Sequence, residues 1–289
     1  MLRILTEAVE KMVLSLKPIA YVALVVILLA GMWINGFPHA SAANFPYSTY
    51  QQFLDKYVVP GKYIGDIKVN VVDYDAIQRD REKPDSLYDK VLKQLVNFDP
   101  GKLQSKEEEI AFWINAYNIG AIKMIIDHYP VDSIRSTKIN WLKNPWNKKI
   151  LTIGNETYSL GQIEHDILIG KYGEPLIHFA IVCASLSCPD LSPQVYQGAG
   201  VMEQLERQAQ QFLQNEKKGL RIHREQGKVF FSKIFKFDKK TFPNGVKDAI
   251  PLITRFIDKE EDREYLRSGD YKIKHLDYNW DLNTSSKAR

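Results

Sequence analysis

Glu164, His165, His178, Cys183 and Cys188 are the one dense cluster of reactive side-chain types in the sequence, confined to a stretch of 25 residues. Three chemistries fit these residues. Cys183 and Cys188, the only cysteines, could close a disulfide in an oxidising compartment, which requires their Cα atoms to approach to about 5.5 Å. With four residues between them, the gain would sit at the low end of about 2–4 kcal/mol and would mainly fix the shape of a loop. Alternatively, Cys183 is a thiolate nucleophile, with His165 or His178 as base and Asn115, Asn118 or Glu164 orienting the imidazole, an arrangement that performs acyl transfer on an amide or ester. Finally, His165, His178 and both thiolates could hold zinc, but the His178-x4-Cys183-x4-Cys188 spacing is wider than usual and no metal is expected. Glu164 and His165 are adjacent on an expected helix and point about 100° apart, so they are not a ready dyad.

These groups must be positioned by the elements around them. Ile177, Phe179 and Ile181 alternate with His178, Ala180 and Val182, the period of a strand, which runs into the small-residue turn Cys183 to Pro189. Ser159 and Gln162 form a capping box that opens a helix carrying Glu164 and His165. The clearest helix starts at Ser105, capped by Glu108 and followed by apolar residues at three- and four-residue spacing as far as His128. Asn115 and Asn118 lie inside that apolar helix, where a buried amide must find partners. They either brace neighbouring backbone or join Ser185 and Cys188 in a polar pocket. Around this centre the spacing predicts helices over 47–58, 86–97, 201–217 and 246–258, with Pro60-Gly61 stopping the first. It also predicts a strand-like stretch from Ile64 to Val72, hairpins over 150–158 and 220–231, and a terminal strand from Tyr271 to Trp280.

The chain has 289 residues, 45% apolar, with 39 basic against 35 acidic side chains spread along its length, so no nucleic-acid partner is expected. Gly-rich phosphate loops, dinucleotide fingerprints, His-Glu-x-x-His and Gly-x-Ser-x-Gly motifs are all missing from the sequence, and no cofactor is expected. Arg3, Lys11 and Lys17 precede the uncharged apolar run Ile19 to Ile34, and Ala40-Ser41-Ala42 follows it. That order predicts an exported protein, periplasmic or extracellular, with residues 1–42 either a signal peptide cleaved after Ala42 or an anchor that attaches the chain to a membrane through residues 19–34. The loop Ser136 to Lys149 interleaves Trp141 and Trp146 with four lysines and is expected to be a surface loop pinned by the two indoles.

Four blocks carry a family resemblance: Ala111-Phe112-Trp113-Ile114-Asn115-Ala116-Tyr117-Asn118; Ser159-Leu160 with Ile163-Glu164-His165; Ile177-His178-Phe179-Ala180 through Cys183 to Ser187-Cys188-Pro189; and Tyr278-Asn279-Trp280-Asp281-Leu282-Asn283. In order and spacing they resemble the domain of unknown function 547 family, over about 105–283. Ala184 stands where that pattern has Gly, and Asn279 where it has Asp. The resemblance implies an α+β domain found in bacterial exported proteins and in plant and animal multidomain proteins, and it implies no established reaction. The expected architecture is α+β, a single domain over 43–289 with a helical core, a small sheet and β-hairpins. Two roles stay open at this point: a non-catalytic binding or scaffold domain with a Cys183–Cys188 disulfide, and a cysteine-dependent hydrolase or acyltransferase acting on an envelope amide or ester.

Overall fold

A 21-residue helix, Lys106–Ile126, organises the structure, a computed structural model that describes residues 45–289. The expected signal or anchor at 1–42, its apolar run 19–34 and the cleavage position all lie outside the described residues. The Ser105 hydroxyl accepts the Glu108 N–H at 3.1 Å, and the acidic run Glu107 to Glu109 sits at the positive end of the helix dipole. The helix is buried without a break from Ile110 to Ile122, so it has no solvent face and behaves as the axis of the core.

Shorter elements pack around it. In chain order they are α1 (Ser48–Tyr57), β1 (Val58–Ile64), β2 (Ile67–Val72), α2 (Tyr74–Asp80) and α3 (Leu87–Val96). The central helix is α4, followed by β3 (Lys149–Ile153) and β4 (Glu156–Ser159). Then come α5 (Val201–Leu213), β5 (Leu220–His223), β6 (Lys228–Phe231), α6 (Ile234–Phe237), α7 (Val246–Thr254), α8 (Glu260–Ser268) and β7 (Lys272–His275). Strands β1 and β2 pair antiparallel, as do β3 and β4; β5 and β6 form a hairpin to which β7 adds in parallel. Among the described residues this is an α+β arrangement with three small sheets. Over the same residues its hydrophobic core extends from Phe45 to Leu282, within the compact unit 44–289.

Some expectations require correction. Pro60 and Gly61 do not leave a loop after α1: the chain turns directly into β1, and a bulge between Val59 and Lys62 absorbs them, with Gly61 at φ 70°. No strand runs through 177–182. Pro175–Phe179 is a 3₁₀ turn, started by Pro175 and by the Glu174 carboxylate, which accepts the Leu176 N–H at 3.0 Å. Residues 176–189 are buried on every side, so their alternation marked no inside and outside. The terminal strand is shorter than expected, Lys272–His275, while α2 and α8 have no counterpart in the sequence reading.

Candidate functional site

The cysteine turn is held from both ends. On one side the Asn118 amide donates to the Ala180 carbonyl and accepts the Val182 N–H, both at 3.0 Å, which fixes the backbone immediately before Cys183. On the other side the C-terminal segment is strapped across it: Leu186 N–H donates to Asp281 O at 2.9 Å, Asn279 N–H donates to Ser187 Oγ at 2.8 Å, and Asn283 N–H donates to Ala184 O at 3.1 Å. The turn requires Ala184 to adopt φ 58°, the left-handed region that favours glycine. Here the departure from the family pattern at Ala184 acquires a physical meaning.

This strapping sets the surroundings of Cys183. Its Sγ lies 3.1 Å from Ser185 Oγ and 3.4 Å from the Tyr278 hydroxyl, and its N–H donates to Cys188 Sγ at 3.1 Å. Both cysteines are free, buried thiols, side by side and unbridged. The Cys188 thiol is the largest influence on Cys183. Burial opposes it, the Ser185 and Tyr278 hydroxyls reinforce it, and the Cys183 thiol is pulled down to about 7 from an ordinary 9.0. Burial and the charge on Cys183 push Cys188 the opposite way, well above the usual thiol range. Of the pair, Cys183 is therefore the thiol that ionises first, and Cys188 is the one that keeps its proton.

Across the same cavity His178 is paired with Asp238. Its Nε2 lies 3.0 Å from both Asp238 Oδ2 and Thr241 Oγ1, and the Thr241 hydroxyl donates to Asp238 Oδ2 at 2.7 Å. Burial pushes the Asp238 carboxyl up, but the hydrogen bonds from His178 and Thr241 outweigh it and hold the group well below the usual carboxylate range. A carboxylate facing Nε2 assigns the ring proton to that nitrogen and leaves Nδ1 as the basic one.

Glu164 and His165 come from a π-helix, Gln162–Ile169, which the reciprocal Ser159 and Gln162 hydrogen bonds open at 3.1 and 3.2 Å. Such wide turns recur at functional sites. The two side chains share no hydrogen bond: Glu164 Oε2 accepts from the Tyr117 hydroxyl at 3.1 Å, and the Trp146 indole N–H donates to that hydroxyl at 3.2 Å. Burial raises the Glu164 carboxyl above its ordinary range, against the pull of His178 and His165.

Cys183, Cys188, His178, His165, Glu164 and Asp238 all line one cavity of about 560 Å³, walled by Tyr278 and Trp280. The structure thus gathers the sequence cluster into a single site. Ser185 sits behind Cys183 as a hydrogen-bond partner. Asn115 and Asn118 are not on the cavity wall: Asn115 pairs with both backbone polar groups of Tyr196, and Asn118 with the chain entering the cysteine turn. Among the described residues, no group of three or more His, Cys, Asp or Glu side chains is placed to hold a metal ion. No described helix is long and apolar enough to cross a membrane.

Asp238, Thr241, Tyr117 and Tyr278 were missed by the sequence reading. Tyr278 stood inside the fourth resemblance block, which was the signal available. Asp238, an acid beside Lys239 and Lys240 far along the chain, offered none.

Residues 100–213 match the family model described as "Protein of unknown function, DUF547". No curated protein and no solved structure matches the chain. The matched stretch includes Glu164, His165, His178 and both cysteines, while Asp238 and Tyr278 lie beyond it.

Proposed function

We propose that this chain, a member of the DUF547 family through residues 100–213, is a cysteine-dependent acyl hydrolase or acyltransferase with Cys183 as nucleophile and His178, held by Asp238, as the proton carrier. The observation that carries this reading is the sharing of one cavity by a thiol pulled down to about 7 and a buried His–Asp pair. In acylation the Cys183 thiolate attacks the carbonyl carbon of an amide or ester. The tetrahedral intermediate collapses, and the departing amine or alkoxide takes from His178 the proton that Cys183 had given up. Water, or an acceptor amine or hydroxyl, then gives a proton to His178 as it attacks the thioester, and the thiolate leaves. Glu164, whose carboxyl burial pushes upward, is a second proton-exchanging group on the cavity wall.

Export belongs to the same proposal and is supported by the apolar run 19–34 and Ala40-Ser41-Ala42 in the sequence. The substrate would then be an amide or ester of the cell envelope. A small chloroacetamide probe at neutral pH should label the protein once, and Cys183→Ser should abolish that labelling whereas Cys188→Ser retains it; unchanged labelling of the Cys183 variant removes the nucleophile assignment.

One observation favours a second reading, a binding or scaffold domain pinned by a Cys183–Cys188 disulfide: the two thiols are already neighbours, with the Cys188 sulfur 3.1 Å from the Cys183 backbone nitrogen. Counting thiols on unfolded, freshly exported protein separates the two. Two thiols support the nucleophile, and none supports the bridge.

A further inference from the structure

The loop between α4 and β3 does not behave as a pinned surface loop. Trp146 is tied down, its indole N–H donating to Tyr117, but Trp141 is 78% exposed and Leu142 64%, the two most exposed large apolar residues among those described. Scattered apolar residues on a surface are ordinary. This pair is different because its turn is built to present it. The Asn140 side-chain oxygen accepts the N–H groups of Leu142 and Asn144 at 2.9 and 3.4 Å, and Lys143 N–H donates to the Asn140 carbonyl at 2.8 Å. Lys143 is held at φ 55°, Arg135 Nε donates to its carbonyl at 3.2 Å, and the buried Ile139 anchors the base. These bonds fix the backbone that carries the exposed indole and leucine.

The charge along this segment of the chain has one sign. From Ser133 to Asn155 the chain carries Arg135, Lys138, Lys143, Lys148 and Lys149 and no acid. An exposed Trp–Leu tip on a segment whose charges are all basic, with Lys143 in the turn itself, has the chemistry of an interfacial anchor: the indole and leucine enter the headgroup boundary while the cations meet anionic headgroups. We propose that the Asn140–Lys143 turn docks the protein on an anionic lipid bilayer. Leu142, Lys143 and Arg135 also line the Cys183 cavity, so docking through this turn sets that cavity against the lipid surface. The substrate class that follows, which rests on the acyl-transfer reading, is a membrane-resident amphiphile whose ester or amide enters the cavity while its anionic head stays beside Arg135 and Lys143.

The experiment is sedimentation of the unit 44–289, its folding verified by a cooperative melting transition, with vesicles of phosphatidylglycerol and phosphatidylcholine, against vesicles of phosphatidylcholine alone. Binding is expected to the anionic vesicles and to weaken as salt is raised. Trp141→Ser with Leu142→Ser should weaken it at least roughly tenfold, about 1.4 kcal/mol, with an unchanged melting temperature because neither residue is in the core. Lys143→Glu should weaken binding and flatten the salt dependence. Failure to bind anionic vesicles, equal binding by the double serine variant, or equally tight binding to soluble polyphosphate that survives the serine substitutions would each overturn the proposal, the last pointing to a polyanion site. Cys183→Ser should leave vesicle binding intact, so failure of the docking surface and failure of the nucleophile assignment are read separately.

Discussion

Removing the Cys188 thiol tests the electrostatics of the site most directly. The fall of Cys183 from 9.0 to about 7 corresponds to roughly 3 kcal/mol of preferential stabilisation of the thiolate. Cys188 supplies the largest part, and Ser185 and Tyr278 supply smaller parts. A hydrogen bond to a charged acceptor contributes about 1.5–3 kcal/mol, and a thiol is a weak donor, so the low end applies. Cys188→Ala should therefore raise the midpoint of Cys183 ionisation by about one pH unit, to about 8. At pH 7 the thiolate fraction then drops from about one half to about one tenth. The alkylation rate at a single pH understates this, because a more basic thiolate is about threefold more nucleophilic. The quantity to measure is the midpoint of the iodoacetamide rate between about pH 5.5 and 9.5, with the alkylated residue identified by mass. The sign is fixed: the reactive form appears as pH rises, and weaker stabilisation moves its appearance upward. Cys188→Ser restores a donor and should return the midpoint towards 7. An unchanged or lowered midpoint in the alanine variant would refute Cys188 as the donor.

Tyr278→Phe, which deletes one hydroxyl at 3.4 Å from the sulfur, should raise the same midpoint by less than the alanine variant does. Asn118→Ala strands the Ala180 carbonyl and the Val182 N–H in the core, at about 1–3 kcal/mol for each group left unpaired, and should lower the urea midpoint and also shift the Cys183 titration. Asn115→Ala, which strands both backbone groups of Tyr196, should match that loss of stability without moving the titration, since it braces a segment away from the thiol. Ala184→Gly relieves a left-handed backbone strain of about 1–2 kcal/mol against an entropic cost of about 0.5–1 kcal/mol, so a melting temperature a few degrees higher is expected, with thiol reactivity retained.

Where the sequence carried periodicity or a cap, its elements were legible. Ser86, Ser105 and the Ser159–Gln162 pair open helices where expected, each with its side-chain bond in place, because capping is a local matter between residues three apart. The segment 177–182 was misread for a reason intrinsic to the method. Alternation identifies a strand only when one face meets water, and here Leu176 through Cys188 are all buried. The Pro60-Gly61 pair misled in the opposite direction: a helix stop was legible, but the bulged edge strand that accommodates both residues depends on its pairing with β2.

Residue type and sequence proximity were enough to find the cluster of Glu164, His165, His178, Cys183 and Cys188. They could not find what makes it a site. The partner of His178 is 60 residues away in sequence, and the hydroxyl facing Cys183 is 95 away. Both arrive through long-range strapping: Asp238 through the segment between β6 and α7, and Tyr278 through the chain that bonds across the cysteine turn. The same strapping sets apart residues that spacing left alike. Of the two histidines, His178 has a buried carboxylate at 3.0 Å, whereas His165 contributes a carbonyl to Lys240 at 2.6 Å. Of the two cysteines, Cys183 has the Ser185 and Tyr278 hydroxyls within 3.1 and 3.4 Å of its sulfur, and Cys188 is left to hold the proton. Asn118, a good candidate for orienting an imidazole by type, instead fixes the backbone that leads into Cys183, and so acts on the thiol through its position.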